Sequence, residues 1–178
     1  TRAPVDADLD VRIAGARVRR NRSGLYVIVQ ADPLSAHEGD FTAPPALPPA
    51  GSVALVATVR DPLQRYLPRS ATIALPRDPR PGRADSVFRA IDMPMYPAAT
   101  APMGVNWSVL RVTVQDDGGS GDLLGGALLR VTSGNDTLAR GLTDWRGEAL
   151  VPVPGVPITT WSNQPGAVVV HEIQVRVQ

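Results

Sequence analysis

Proline decides most of what this chain can become. Eighteen of its 178 residues are proline, and they cluster outside the apolar runs. That is about twice ordinary usage. A proline removes a backbone donor and clashes with the preceding helical turn, so it closes off helix interiors and central strands where it falls. What remains between the prolines is short and alternating. Leu9, Val11 and Ile13 point one way while Asp8, Asp10 and Arg12 point the other. Residues 26–29, Tyr-Val-Ile-Val, follow the turn residues Asn21, Arg22, Ser23 and Gly24.

Further apolar runs fill 53–59 and 71–75, which read as buried strands, and then 109–114, 127–131, 137–142, 148–153 and 168–177. Short runs of this kind, bounded by Gly, Pro, Asn and Asp, predict an all-β fold. No segment carries an apolar stripe at helical period, and 85–91 has room for one helical turn at most. Two long connectors interrupt the strands. Residues 31–52 hold five prolines and residues 76–104 hold six. The second is the natural boundary. The expectation is two small β-sandwich-like parts joined by a long proline-rich extended segment, with an N-terminal β domain over 1–104 and a C-terminal sandwich over 105–178. Residues 59–73 and 114–129 echo each other weakly, each with Val-x-Asp leaving a strand and Ala entering the next.

Composition narrows the function. The chain is 43% hydrophobic, enough for a real core, yet only eight residues are aromatic, so that core is aliphatic. Net charge is +1, and all eighteen basic residues are arginine. No basic block stands out beyond Arg17, Arg19, Arg20 and Arg22, which gives no electrostatic case for nucleic acid or an anionic membrane. Cysteine is absent, which removes disulfides, thiolate zinc sites and thiol nucleophiles. The apolar runs fall far short of the ~18 residues of a membrane span.

One stretch carries a resemblance. Val112-x-Val114-x-Asp116, Leu124-x-Gly126-Ala127-x-Leu129-x-Val131 and Leu142-Thr143-Asp144-x-x-Gly147-x-Ala149-x-Val151 are similar to the carboxypeptidase regulatory-like domain, a transthyretin-like β-sandwich. The likeness covers roughly 107–178 and departs from the pattern at 116–122 and in the Pro-Gly-Val-Pro segment before Ile158. It implies a sandwich without chemistry of its own. Residues 61–78, which begin Asp-Pro-Leu-Gln-Arg-Tyr-Leu-Pro-Arg-Ser, resemble in general style the accessory structural proteins of phage-tail-like contractile injection particles. In the turn 144–147, Asp144 is expected to bond the amides of its own turn and Gly147 to take a positive φ.

Catalytic and metal constellations are not evident. His37 and His171 stand apart, without cysteine, and no Gly-x-Ser-x-Gly elbow exists. Asp6, Asp8 and Asp10 open like a calcium loop, but the positions that need Gly and Glu hold Val11 and Arg17. Asp116, Asp117 and Asp122 lie on a glycine-rich loop, and its Gly-Gly-Ser-Gly lacks the ending of a phosphate-binding loop.

The reading is therefore a non-enzymatic structural or assembly protein with no cofactor and no metal, particle-associated or extracellular. Its partners are other protein subunits, in a homo- or hetero-oligomer, with no nucleic acid and no membrane span. Val87, Phe88, Ile91, Met93, Met95 and Tyr96 are apolar side chains in a segment too rich in proline to fold as helix. Of these, Phe88, Ile91, Met93, Met95 and Tyr96 are the expected contact residues, and the alternative is a strap buried across the domain's own sheet. Arg77, Arg80, Arg83 and Arg89 alternate with Asp78, Asp85 and Asp92 as a polar rim. The competing reading is an extracellular carbohydrate-binding or surface-display module, with Trp107, Trp145 and Trp161 among the stacking candidates.

Overall fold

The computed structural model describes residues 5, 7–38, 47–104, 107–154, 160–161, 168–169 and 174–178. Asp6, His171 and Gly155, together with 39–46 of the first connector, lie outside the described residues. The chain is all-β, built from small antiparallel sheets. It divides into two compact units, Thr1–Pro62 with Pro68–Met95, and Leu63–Leu67 with Tyr96–Gln178. The passage between them falls at Met95 and Tyr96, inside the second connector.

The first unit opens with β1 (Asp10–Ile13), β2 (Ala16–Arg20) and β3 (Tyr26–Ala31). A 3-10 turn (Asp32–Leu34) runs into the four-residue helix α1 (Ser35–Glu38), and then come β4 (Val53–Arg60) and β5 (Arg69–Leu75). Strands β1, β4 and β5 form one sheet in that order, and β2 pairs with β3 in a second. Gly15, at φ +70°, lets the chain leave one sheet and enter the other in a two-residue corner. Both sheets close on one core of Ile13, Ala31, Leu34, Leu55, Ala57, Ile73 and Leu75, with Val18, Ile28 and Met93 packed against it. The β2–β3 pair is joined by a turn in which Asn21 Oδ1 accepts the Leu25 amide at 2.9 Å. A bulge beside Arg17 and Val18 lets Val29 and Gln30 both face solvent before Ala31 turns inward.

Two expectations change here. Strand β4 is not buried on both sides, because Val56 is 53% exposed on the face opposite Leu55 and Ala57. Residues 85–91 form turns, and the short helix lies instead at 35–38.

The second unit contains β6 (Ser108–Thr113), β7 (Leu128–Ser133), β8 (Asp136–Leu142) and β9 (Glu148–Val153). Two-residue strands β10 (Thr160–Trp161), β11 (Val168–Val169) and β12 (Arg176–Val177) complete it. Strand β6 pairs with β9, while β12, β7 and β8 form a second sheet. Leu129, Val131, Ala149, Val151 and Val153 fill the space between them, joined by Leu110, Val112, Val114, Leu138 and Ala139. The outer face of β6–β9 is covered too. Leu150 is fully buried, and its register partner Arg111 donates from Nη1 to the Ala99 carbonyl at 3.0 Å. The segment 96–98 is held by the Leu67 amide on the Tyr96 carbonyl and by the Ala98 amide on the Arg65 carbonyl. The echo between 59–73 and 114–129 is not a shared hairpin, since β4 and β5 are neighbours whereas β6 and β7 lie in different sheets. Among the described residues, no helix is long and apolar enough to cross a membrane.

The turn 144–147 shows how tightly this unit is closed. Gly147 has φ +70°, and a Cβ there would sit 2.7 Å from the Val114 carbonyl oxygen. Gly134, in the two-residue β7–β8 hairpin, has φ +56° with nothing within 4 Å. Gly147→Val should therefore destabilise the unit by on the order of 3 kcal/mol, combining left-handed backbone strain with overpacking. Gly134→Asn should cost well under about 1 kcal/mol, because Asn tolerates that backbone region and meets nothing there. Chemical denaturation of the two variants checks the contrast, and equal losses would contradict it.

Candidate functional site

The loop that follows β5 is built around one carboxylate. Asp78 is 7% exposed at its side chain. Its Oδ1 accepts the Arg80 amide at 2.8 Å, and Pro79 between them fits a turn whose middle residue has no amide to place. The Arg80 guanidinium then folds back onto the same carboxylate, with Nε 3.0 Å from Oδ1 and Nη2 2.6 Å from Oδ2. Arg83 approaches Oδ2 at 3.6 Å from the far side of the turn. The main chain closes the loop: the Asp78 amide bonds the Asp85 carbonyl at 3.1 Å, and the Val87 amide returns to the Asp78 carbonyl at 2.9 Å.

Ser86 sits inside this closure, fully buried. Its Oγ accepts the Phe88 amide at 3.2 Å, and its carbonyl accepts Arg77 Nε at 3.0 Å. Arg77 Nη2 reaches the Arg89 carbonyl at 3.5 Å. A stretch with no regular secondary structure is thus fixed at both ends and in the middle. On its outside Val87 is 58%, Phe88 71% and Ile91 44% exposed.

The expected contact residues therefore separate. Phe88 and Ile91 share the exposed surface of this short loop. Met93 turns inward and packs against the first unit's core. Met95 is half-buried at the end of that unit, and Tyr96 is half-buried at the start of the other. Val87, which sequence reasoning placed in the segment without naming it as a contact, belongs with Phe88 and Ile91.

The signal that was missed is Asp-x-Arg, which occurs three times, at 10–12, 78–80 and 144–146. At Asp144 the arrangement of Asp78 recurs. Oδ1 accepts the Arg146 amide at 2.8 Å and the Glu148 amide at 3.1 Å. Arg146 Nε and Nη2 lie 3.2 and 3.1 Å from Oδ2, and Nη2 also meets Glu148 at 2.9 Å. Asp10 and Arg12 pair side chain to side chain at 2.8 Å along β1. Asp8 meets Arg20 at 3.2 Å, so both described aspartates of the opening run are paired with arginine. Trp145, carried at the tip of the second turn, is 85% exposed, with the Arg146 guanidinium 5.8 Å from its ring.

Both turn carboxylates are held in the ionised state. The Arg80 side chain first, and then its amide, draw Asp78 from the ordinary 3.8 down to about 2, against the opposing effect of burial. For Asp144 the largest single influence is burial, which works to raise its pKa. The Glu148 and Arg146 amides and the Arg146 guanidinium together outweigh it and leave the group below the ordinary value. Among the described residues, no group of three or more His, Cys, Asp or Glu side chains is placed to hold a metal. The chain matches no family model, no curated protein and no solved structure.

A folded pKa below the unfolded one stabilises above the unfolded value, and that stability is lost as pH falls through the folded value. For Asp78 the window runs from 3.8 down to about 2. Asp78→Asn should lower the melting temperature at neutral pH and flatten its fall across that window. Calorimetry from pH 7 to pH 2 should show the wild-type and variant values converging at the acid end; parallel curves would contradict the assignment.

Proposed function

We propose that the chain is a non-enzymatic structural or assembly protein that binds another protein subunit through the loop around Val87, Phe88 and Ile91. The observation that supports this is the pairing of exposure with rigidity. Three large apolar side chains stand in water on a loop whose amides and guanidinium groups are already committed to holding its shape. Apolar surface fixed in place loses little conformational entropy when a partner covers it. Aromatic residues ringed by arginine are the composition that protein interfaces favour. The same reading extends to a subunit of a phage-tail-like or other multi-subunit particle, with the second unit as a carboxypeptidase regulatory-like sandwich that supplies rigid bulk.

A second reading, a carbohydrate-binding or surface-display module, is favoured by Trp145, exposed on a turn that is itself clamped, while Trp107 is also exposed. A ring of that kind can stack on a sugar face.

Substituting Met93 would damage the core, so the test belongs to the exposed pair. Phe88→Ser with Ile91→Ser should leave the melting temperature within about 2 °C of wild type, as exposed positions do, and should abolish association with the partner subunit. A photo-crosslinking residue at position 88 should form an adduct with another protein, and one at exposed Thr72 should not. Absence of any adduct at 88, with assembly unaffected by the double substitution, would overturn the reading. Glycan binding that is lost in Trp145→Ala and kept in the double variant would favour the second.

A further inference from the structure

A different surface of the first unit has no role in that reading. On the outer face of the β2–β3 ribbon, Arg19 lies directly across from Val27 and Arg17 across from Gln30 beside the bulge. Leu25, Val27 and Val29 are 51%, 44% and 42% exposed. Arg17, Arg19 and Arg22 are exposed and have no ion-pair partner among the described residues, whereas Arg20 is taken by Asp8. This face is basic along β2 and aliphatic along β3. It has no aromatic side chain, since the Tyr26 hydroxyl is bonded to the Leu9 main chain. Bases would find no stacking platform here, and a membrane interface no aromatic anchor.

The second unit carries the complement. The loop between β6 and β7 is closed by the Asp116 amide on the Asp122 carbonyl at 2.9 Å and by the pairing of Gln115 with Leu123. From Gln115 to Gly126 every residue is exposed. Asp117 and Asp122 have no ion-pair partner among the described residues, and Leu123 and Leu124 beside them are 48% and 41% exposed. One surface presents guanidinium groups next to aliphatic side chains, and the other presents carboxylates next to aliphatic side chains.

We propose that these two surfaces bind each other between copies of this chain, the β2–β3 ribbon of one copy receiving the Asp117–Leu124 loop of the next. The carboxylates meet Arg17, Arg19 and Arg22 while Leu123 and Leu124 cover Leu25, Val27 and Val29. Because the surfaces differ, the contact is heterologous and runs head to tail, closing into a ring or propagating as a fibre. Its small apolar centre and charged edge make it weak, concentration-dependent and sensitive to salt.

Sedimentation velocity of the full chain, at ~50 mM salt and rising protein concentration, reads the association directly. The wild type should grow in mass, and this growth should weaken at ~500 mM salt. Arg17→Glu with Arg19→Glu, or Asp117→Arg with Asp122→Arg, should each weaken association by at least about tenfold. An equimolar mixture of the two reversed variants should recover it, because each supplies what the other lacks. The milder Arg19→Gln and Asp122→Asn serve if a reversed variant fails to fold, each reducing association several-fold. Phe88→Ser with Ile91→Ser should self-associate like wild type, which separates this contact from the partner-binding loop. A chain that stays monomeric at ~1 mM, reversed variants that associate as wild type does, or a mixture that recovers nothing would overturn the proposal.

Discussion

A buried carboxylate that closes its own turn, and then holds the arginine two residues on, is the contact on which both units' exposed tips depend. At Asp78 and Asp144 the amide of residue i+2 bonds Oδ1, and the guanidinium of the same residue then lies on the carboxylate, spanning both oxygens at Asp78 and meeting Oδ2 at Asp144. The planar fork of arginine is what makes this possible, since a lysine ammonium cannot span two carboxylate oxygens while its own amide is engaged. A chain whose every basic residue is arginine is well supplied for such turns. The ionic part adds little where Arg80 is 73% exposed, because water screens it. Amides that would otherwise be unsatisfied supply the rest.

Around these turns the strands obey a simpler rule. Each unit packs two sheets over one aliphatic core, and most strands bury one face only. Strand β9 departs from this, with Ala149, Leu150 and Val151 buried in succession. The half of the second connector that follows Tyr96 lies over the second face, and Ala99 and Ala101 there are buried. The connector is thus not one thing. Its first half is a clamped loop with apolar side chains turned out, and its second half is part of the fold.

That division explains what could be read in advance. Apolar runs between turn residues located β1 and each of β3 to β9, and with them the all-β class, because strand patterning leaves its mark directly in residue order. Gly147 was legible because a turn followed at once by paired strand needs a left-handed residue there. Strand β2 was not, since Ala16 and Val18 are its sole apolar residues and its place is set by pairing with β3. The continuous run of β4 hid the exposure of Val56, as periodicity is blind where every residue is apolar. Phe88 and Met93 could not be told apart for a related reason. A proline-fixed segment has no period, and which side chains turn inward depends on the Asp78 and Ser86 hydrogen bonds. Those bonds were written in Asp-x-Arg, a local motif that apolar patterning does not register.

Residues 76–92 form a fixed platform, on which bonds within the loop maintain the exposure of Val87, Phe88 and Ile91. Amide hydrogen exchange resolved by residue tests this most directly. The Asp78 and Val87 amides, which bond the Asp85 and Asp78 carbonyls, should exchange at least about a hundredfold more slowly than unprotected amides of the same sequence. In Asp78→Ala, which removes the carboxylate that the Arg80 amide and guanidinium both bond, they should lose most of that protection while the β4–β5 amides keep theirs. Exchange of Asp78 and Val87 at the unprotected rate in the wild type would contradict the account.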